Sequence, residues 1–137
     1  YVPWLEHMEE KYRQMATELR YETYRADDAD LILVTYGYVS RVSKEAVDMA
    51  REQGLKAGLL RLITLWPFPY EEIEGRADRG AKFLVVEDSL GQMVDDVRCA
   101  VSKAAEVHFL GMKDRHIPTD GGVMLPARIL QEIRRLL

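Results

Sequence analysis

The sequence Leu31-Ile32-Leu33-Val34-Thr35-Tyr36 decides the fold of this chain. It is apolar almost throughout, rich in β-branched residues and too short for a helix, which is typical of a strand buried on both faces of a parallel sheet. Gly37 follows it, and the next segment has apolar residues at helical spacing and ends at Gly54. The two segments together predict a strand that is covered by the helix after it.

The same alternation of strand and helix continues to the end of the chain. Further strands are predicted at Lys56 to Thr64, Lys82 to Glu87 and Glu106 to Leu110. Further helices are predicted from Tyr70 to Ala77, after Gly91, and from Pro126 to Leu137. Strands joined by helices imply right-handed crossovers. The predicted fold class is therefore α/β, with three layers and a mainly parallel sheet that has helices on both faces.

Residues 1–29 have a different pattern from the rest of the chain. Apolar side chains recur there at spacings of three and four, on one side of a predicted helix; they are Leu5, Met8, Tyr12, Met15 and Leu19. We predict a helical connector from a missing upstream domain, followed by an α/β domain over residues 30–137. The stripe either packs against this domain or contacts a partner or the upstream domain. Neither role is catalytic.

Composition excludes several classes of protein. Hydrophobic residues make up 47% and charged residues 31% of the chain, as in soluble globular domains, and no apolar run approaches the roughly 18 residues of a membrane span. A net charge of −4 without a basic stripe argues against nucleic-acid binding. Cys99 is the single cysteine, so this chain alone forms no disulfide and no cysteine-rich zinc or iron–sulfur site. A cytoplasmic location is expected.

Ligands and partners of an open α/β sheet meet the chain where the strands end. After the first strand, Gly37 and Ser40 could present backbone N–H groups and a hydroxyl to an anion. A plain helix cap by Ser40 is the favoured alternative, because a dinucleotide fingerprint needs three glycines. After the third strand, Glu87 or Asp88 is explained by a structural cap at a helix start. No catalytic residue is predicted.

The turn after the second strand carries two aromatic residues between prolines, in the sequence Leu65-Trp66-Pro67-Phe68-Pro69. Either the rings cover this domain's own core, or they are preorganised anchors for a partner. We favour an interface. The residues His7, His108 and His116 are far apart, and the loop at 112–125 with Asp120, Gly121 and Gly122 has the composition of an ordinary loop. No metal site is predicted.

Four segments together resemble a known family. They are Val34 to Gly37 with Ser40-Arg41, Leu60 to Pro69, Val85 to Asp88 with Gly91-Gln92, and Pro126. They are similar to the transketolase C-terminal-like domain in the α subunit of 2-oxoacid:ferredoxin oxidoreductases, which follows a pyrimidine-binding domain. The corner from Leu65 to Pro69 is the most specific segment, and it resembles the 2-oxoglutarate type more than the pyruvate type.

The resemblance implies a complex that oxidatively decarboxylates a 2-oxoacid on thiamine diphosphate with magnesium, reduces ferredoxin through iron–sulfur clusters and makes an acyl-CoA. It implies that neighbouring domains or subunits hold these cofactors. This domain would then be noncatalytic and contact the pyrimidine-binding domain and the partner β subunit. The interface residues would be Trp66, Pro67, Phe68, Pro69, Glu87, Gly91 and Gln92.

Two alternatives from other classes of protein remain open. The first is an autonomous module that binds a nucleotide or coenzyme A at the helix starts near Ser40 and Gly91. The second is a receiver-like signalling domain, suggested by Asp88 at the end of a strand, although the lysine expected on a later strand is lacking.

Overall fold

A computed structural model describes residues 1–112 and 123–137. The helices there are α1 (Val2–Met15), α2 (Val39–Glu52), α3 (Tyr70–Asp78), α4 (Met93–Val101) and α5 (Pro126–Leu136), with a short 3₁₀ turn at Ala16–Glu18. The strands are β1 (Tyr21–Tyr24), β2 (Leu31–Tyr36), β3 (Ala57–Leu62), β4 (Lys82–Val86) and β5 (Val107–Leu110). In this part of the chain, no helix is both long and apolar enough to cross a bilayer.

The strands form one sheet in the order β1-β3-β2-β4-β5. All pairs from β3 through β5 are parallel, and β1 alone is antiparallel to its neighbour, with Tyr21 opposite Leu62 and Tyr24 opposite Leu59. Side chains of β2 alternate between the two faces, since Leu31 and Leu33 belong to one core cluster and Ile32 to the other. The mainly parallel sheet predicted from the sequence is therefore confirmed.

The helices cover both faces of the sheet. The cluster on one face contains buried residues of α2 and α5, and the cluster on the other face contains buried residues of α3 and α4. This arrangement confirms the three predicted layers. The first helix is the exception, because none of the residues of α1 is buried.

Strand β1 was not predicted, because all of residues 1–29 were expected to form a helical connector. Residues Tyr21–Tyr24 instead pair with β3 at the edge of the sheet. Their sequence did not indicate a buried strand because Glu22 and Thr23 are polar and exposed, while only the two tyrosines are half-buried. A short edge strand gains its stability from pairing with a neighbour more than from apolar burial.

Several predicted boundaries also change. Helix α2 begins at Val39 with Tyr38 at the cap position, so Ser40 is not the cap. Helix α4 begins at Met93, two residues after Gly91. The predictions for His116, Asp120, Gly121 and Gly122 fall outside the described residues.

Candidate functional site

The ends of the strands bring exposed apolar side chains to one edge of the sheet. We call this set the apolar edge; its members are Tyr38, Ile63, Leu65, Trp66, Leu90 and Met112. They follow β2, β3, β4 and β5, whose carboxyl ends meet at this edge because these strands are parallel. A contiguous patch of large exposed apolar side chains often marks a surface that binds a partner.

The corner Leu65–Pro69 at the apolar edge is held by backbone contacts with the start of β1. The Ile63 and Thr64 amides donate to the Arg20 carbonyl oxygen at 3.0 and 3.1 Å. The Arg20 amide donates in return to Thr64 Oγ1 at 3.0 Å. The corner also contains a cis peptide bond between Trp66 and Pro67. The hydrogen bonds to Arg20 hold the backbone just before the corner next to the start of β1.

The two aromatic rings of the corner have opposite environments. Phe68 is 7% exposed, belongs to the core cluster under α3 and α4, and contacts the Tyr70 ring edge-on at 5.0 Å between centroids. Trp66 is 54% exposed, and its ring meets the Tyr12 ring of α1 edge-on at 5.5 Å. The ring of Phe68 therefore covers this domain's own core, which is the alternative that the sequence left open, and an interface role for Phe68 stays a prediction.

The two corner prolines are also less exposed than Trp66. Pro67 is half-buried and Pro69 is buried. Both line an open, mostly apolar groove of about 310 Å³ between the end of the α1 segment and the corner, and its other walls include Leu19 and Tyr21. A groove of this kind can accept an apolar side chain from a partner.

Two tyrosines near the corner have raised pKa values. Burial raises the pKa of Tyr21 first, and the Glu72 carboxylate at 3.4 Å from its hydroxyl adds to the effect. Burial likewise raises the pKa of Tyr70, with a second contribution from Asp96 at 3.4 Å. Both hydroxyls therefore stay protonated at neutral pH and act as hydrogen-bond donors.

The side chain of Glu87 is completely buried. Its carboxylate accepts hydrogen bonds from the backbone amides of Met93 at 3.1 Å and Val94 at 2.9 Å, and from the Ser89 hydroxyl at 3.1 Å. The Gln92 amide lies 3.3 Å from both carboxylate oxygens. Glu87 therefore caps the start of α4, the structural role that its position in the sequence indicated, and the interface role that the resemblance implies for it stays a prediction.

Gly91 and Gln92 complete the turn that Glu87 holds. Gly91 has a φ of 101°, which a residue with a side chain rarely adopts, and its amide donates to Ser89 Oγ at 3.1 Å. Gln92 is exposed and lines a cleft of about 140 Å³ together with Leu65 and Asp96. Of the three interface residues predicted after β4, which are Glu87, Gly91 and Gln92, only Gln92 has an exposed side chain.

The predicted anion site at Gly37 and Ser40 has little to offer a ligand. Ser40 is 3% exposed, and its hydroxyl accepts a hydrogen bond from the Thr35 hydroxyl at 2.9 Å. Tyr38, which lies between the two, was not predicted as a site residue. Its hydroxyl donates to Asp88 at 2.5 Å and so joins the turns after β2 and β4. An aromatic residue inside a turn that follows a buried strand was the signal for it.

The described residues do not fit the cofactors that the resemblance implies. An iron–sulfur cluster needs several thiolates, whereas Cys99 is the single cysteine of the chain. Thiamine diphosphate needs a metal site and an acid that faces its ring, but Glu87 already uses its carboxylate within the domain. Among residues 1–112 and 123–137, no three metal-binding side chains converge. His108 lies 3.2 Å from the Glu106 carboxylate.

Comparison with known proteins gives a consistent result. The family described as "Pyruvate:ferredoxin oxidoreductase core domain II" matches residues 29–119. The ketoisovalerate oxidoreductase subunit VorB of Methanothermobacter thermautotrophicus is 48% identical over 132 residues, which cover 95% of this chain and 35% of VorB. The 2-oxoglutarate synthase subunit KorA of Methanothermobacter marburgensis is 43% identical over 108 residues, which cover 78% of this chain and 27% of KorA.

A solved structure supports the fold independently. A split-gene transketolase, solved as an inactive tetramer of its beta chain, has a TM-score of 0.70 at 16% identity. The match covers 85% of this chain and 40% of that protein. The sequence and fold matches confirm the resemblance drawn from the four segments. The chain spans about a third or less of the length of the two curated relatives.

Proposed function

This chain belongs to the pyruvate:ferredoxin oxidoreductase core domain II family, and from this premise we propose that it is a noncatalytic structural and assembly domain. Its parent would be the α subunit of a 2-oxoacid:ferredoxin oxidoreductase. That complex would decarboxylate a 2-oxoacid on thiamine diphosphate with magnesium, pass electrons through iron–sulfur clusters to ferredoxin, and release an acyl-CoA. Other domains and subunits would hold the cofactors. The single cysteine favours a cytoplasmic location.

The proposed substrate is a 2-oxoacid of either of two kinds. The corner from Leu65 to Pro69 favours 2-oxoglutarate, in keeping with the relative named KorA. The relative named VorB is a ketoisovalerate oxidoreductase subunit, which points to a branched-chain 2-oxoacid. A turnover assay of the complete complex with 2-oxoglutarate and 3-methyl-2-oxobutanoate distinguishes them.

One observation carries the proposed assembly role. The acid best placed for chemistry, Glu87, caps α4, while Trp66 is 54% exposed on a corner that follows backbone held by hydrogen bonds to Arg20. A rigid, exposed tryptophan loses little conformational entropy when a partner covers it, and such residues dominate protein interfaces. The arrangement therefore suits docking better than catalysis.

The exposed stripe of α1 extends this surface. Leu5, Tyr12 and Met15 are 43%, 51% and 37% exposed, and Tyr12 contacts Trp66. An isolated helix of about 12 to 15 residues is marginal in water, so α1 needs a second surface to be stable. We propose that the preceding pyrimidine-binding domain packs on this stripe and that the β subunit contacts the apolar edge.

The test is Trp66→Ala in the complete complex. Loss of a central tryptophan weakens an interface by about 2 kcal/mol or more, or roughly thirtyfold in dissociation constant. We expect the variant subunits to dissociate on dilution, as measured by mass photometry. Leu137→Ala is the control, since Leu137 is 42% exposed but lies at the end of α5, away from the apolar edge. Equal dissociation of both variants, or of neither, would contradict the assembly role.

The noncatalytic part of the proposal has a separate test. This chain alone, given thiamine diphosphate, magnesium and a 2-oxoacid, should neither bind the cofactor nor release carbon dioxide. Measurable turnover would show that the domain carries an active site of its own.

A further inference from the structure

A second groove lies on one face of the sheet, between β1 and the start of α2. It has a volume of about 370 Å³ and is open to solvent. Its walls are formed by Glu22, Thr23, Tyr24, Ser40, Arg41, Lys44, Leu59 and Arg61. Strand β1 creates this groove, because it extends the sheet by one strand and places Glu22 opposite Arg61 and Tyr24 opposite Leu59.

The lining of the groove is strongly cationic for an acidic protein. Arg41, Lys44 and Arg61 line it together with a single acid, Glu22. Arg61 forms an ion pair with Glu22 at 3.0 Å. Within the described part of the chain, neither Arg41 nor Lys44 forms an ion pair with a carboxylate. The groove therefore has an excess of two positive charges, while the chain as a whole has a net charge of −4.

The tyrosine in the groove is held in place by its neighbours. The Tyr24 hydroxyl donates to Asp48 at 2.8 Å, and Arg25 pairs with the same carboxylate at 3.1 Å. The Lys44 ammonium lies 4.4 Å from the centre of the Tyr24 ring. Because Lys44 already occupies a ring face, the groove offers cationic groups to a ligand rather than a platform on which a base could stack.

We propose that this groove binds a small phosphorylated molecule through its phosphate or diphosphate group. Two guanidinium groups and one ammonium supply the forked donors and point charge that phosphate oxygens prefer. An excess of two charges matches a phosphate dianion. The volume falls in the range of about 300 to 1,000 Å³ that is usual for small-molecule sites, and it exceeds what a single carboxylate would fill. This site does not depend on the proposed assembly role.

The sequence predicted a possible anion site at Gly37 and Ser40, and the groove lies beside that position. Ser40 lines the same groove, but it is only 3% exposed, so its hydroxyl is not open to a ligand. Gly37 is not part of the lining. The side chains that would bind the phosphate group are therefore Arg41, Lys44 and Arg61.

The first experiment is calorimetric titration of this chain with inorganic pyrophosphate, with adenosine diphosphate and with succinate at low ionic strength. We expect pyrophosphate and adenosine diphosphate to bind with similar affinity, since the diphosphate group carries the contact, and succinate to bind at least about tenfold more weakly because it lacks the tetrahedral oxygens. Equal binding of succinate would overturn the assignment to phosphate. Absence of pyrophosphate binding at millimolar concentration would overturn the site itself.

The second experiment locates the binding. The double variant Arg41→Gln with Lys44→Gln should weaken pyrophosphate binding at least about tenfold, because charged hydrogen bonds are lost. The control is Arg98→Gln with Lys103→Gln, which removes the same charge from exposed positions at the end of α4. Equal loss in both double variants would show a nonspecific charge effect and overturn the proposal.

A third variant tests the proposal in the opposite direction. Glu22→Gln removes the single acid of the groove and frees Arg61 from its ion pair. We expect pyrophosphate to bind severalfold more tightly to this variant. Weaker binding would mean that Glu22 belongs to the ligand contact and that the groove does not select an anion.

Discussion

Helix α1 and strand β2 differ in how they are stabilised. Five of the six residues of β2 are buried, whereas none of the fourteen residues of α1 is. Yet both are regular elements with apolar residues at the spacing that their geometry requires. The difference shows that apolar periodicity predicts which face of an element will be covered, but not whether its own domain provides the cover.

The ion pairs that α1 makes are weak. Arg13 pairs with Glu9 and Glu10 at 3.3 and 3.0 Å, and all three side chains are more than half exposed. Such pairs contribute about 0.3 to 0.5 kcal/mol each. They offset only a small part of the entropy lost when a helix forms. Substitutions in the two elements should therefore differ most in their effect on the stability of this chain.

The largest effect is expected in β2. Leu33 is fully buried between two strands and the helices on one face. Leu33→Ala leaves a cavity and should lower the free energy of unfolding by about 2 to 5 kcal/mol. Urea denaturation followed by circular dichroism measures it. A decrease of less than about 1 kcal/mol in the free energy of unfolding would contradict the claim that β2 is much better packed than α1.

The next effect is expected at the buried cap of α4. Glu87→Gln keeps the size of the side chain but replaces one acceptor oxygen with an amino group that faces backbone donors. We expect the free energy of unfolding to fall by about 1 to 3 kcal/mol, because a buried backbone amide at the start of α4 loses its acceptor. Asp95→Asn is the control, since Asp95 lies in the first turn of the same helix but is exposed. If the two substitutions lower the free energy of unfolding equally, the buried carboxylate of Glu87 stabilises the domain no more than the exposed carboxylate of Asp95 does.

A smaller effect, which depends on pH, is expected on α5. Partial burial acts to raise the pKa of Glu132, but hydrogen bonds from Arg135 and Arg128 outweigh it and leave the pKa below its ordinary value. Because the pKa of Glu132 is lower in the folded state, its ion pairs stabilise the fold at pH values above its ordinary pKa. This stabilisation is lost as the pH falls through the pKa of the folded state.

Glu132→Gln should therefore cost up to about 1 kcal/mol at pH 7 and little at acid pH. Urea denaturation at pH 7 and pH 3 measures the difference. Glu10→Gln on α1 is the control, because its ion pair with Arg13 is exposed and contributes little at either pH. A cost that increases on acidification would contradict the sign assigned to this pKa shift.

The smallest effect is expected on α1 itself. Leu5 is 43% exposed, so Leu5→Ala should change the free energy of unfolding of this chain by less than about 0.5 kcal/mol. In the complete complex, the same substitution should cost more if another domain covers the stripe. A large loss in this chain alone would show that α1 already packs against the sheet in solution.

The sequence was sufficient for the elements that bury apolar residues. Strands β2 to β5 and helices α2 to α5 were predicted from apolar runs and helical spacing, with small errors at their ends. Strand β1 was missed because Glu22 and Thr23 face solvent and leave no apolar signal. What makes it a strand is its pairing with β3, which is a contact between residues distant in sequence.

The site was harder to predict because neighbouring residues of one type have opposite environments. Trp66 and Phe68 are both aromatic and two positions apart, yet one is exposed and the other is buried. Glu87 and Asp88 are adjacent acids, and only the first points into the domain. Such differences depend on backbone geometry around the turn. The cationic groove could not be found from the sequence, since β1 forms one of its walls.

The direction of β1 has a consequence for where helix α1 lies relative to the sheet. Because β1 runs opposite to β3, Tyr21 lies beside Leu62, at the end of β3, and α1 is delivered to that same side. With β1 reversed, the helix would emerge at the far side, and Tyr12 could not reach Trp66. The orientation of four residues thus decides that helix α1 and the carboxyl ends of the parallel strands lie at the same edge of the sheet.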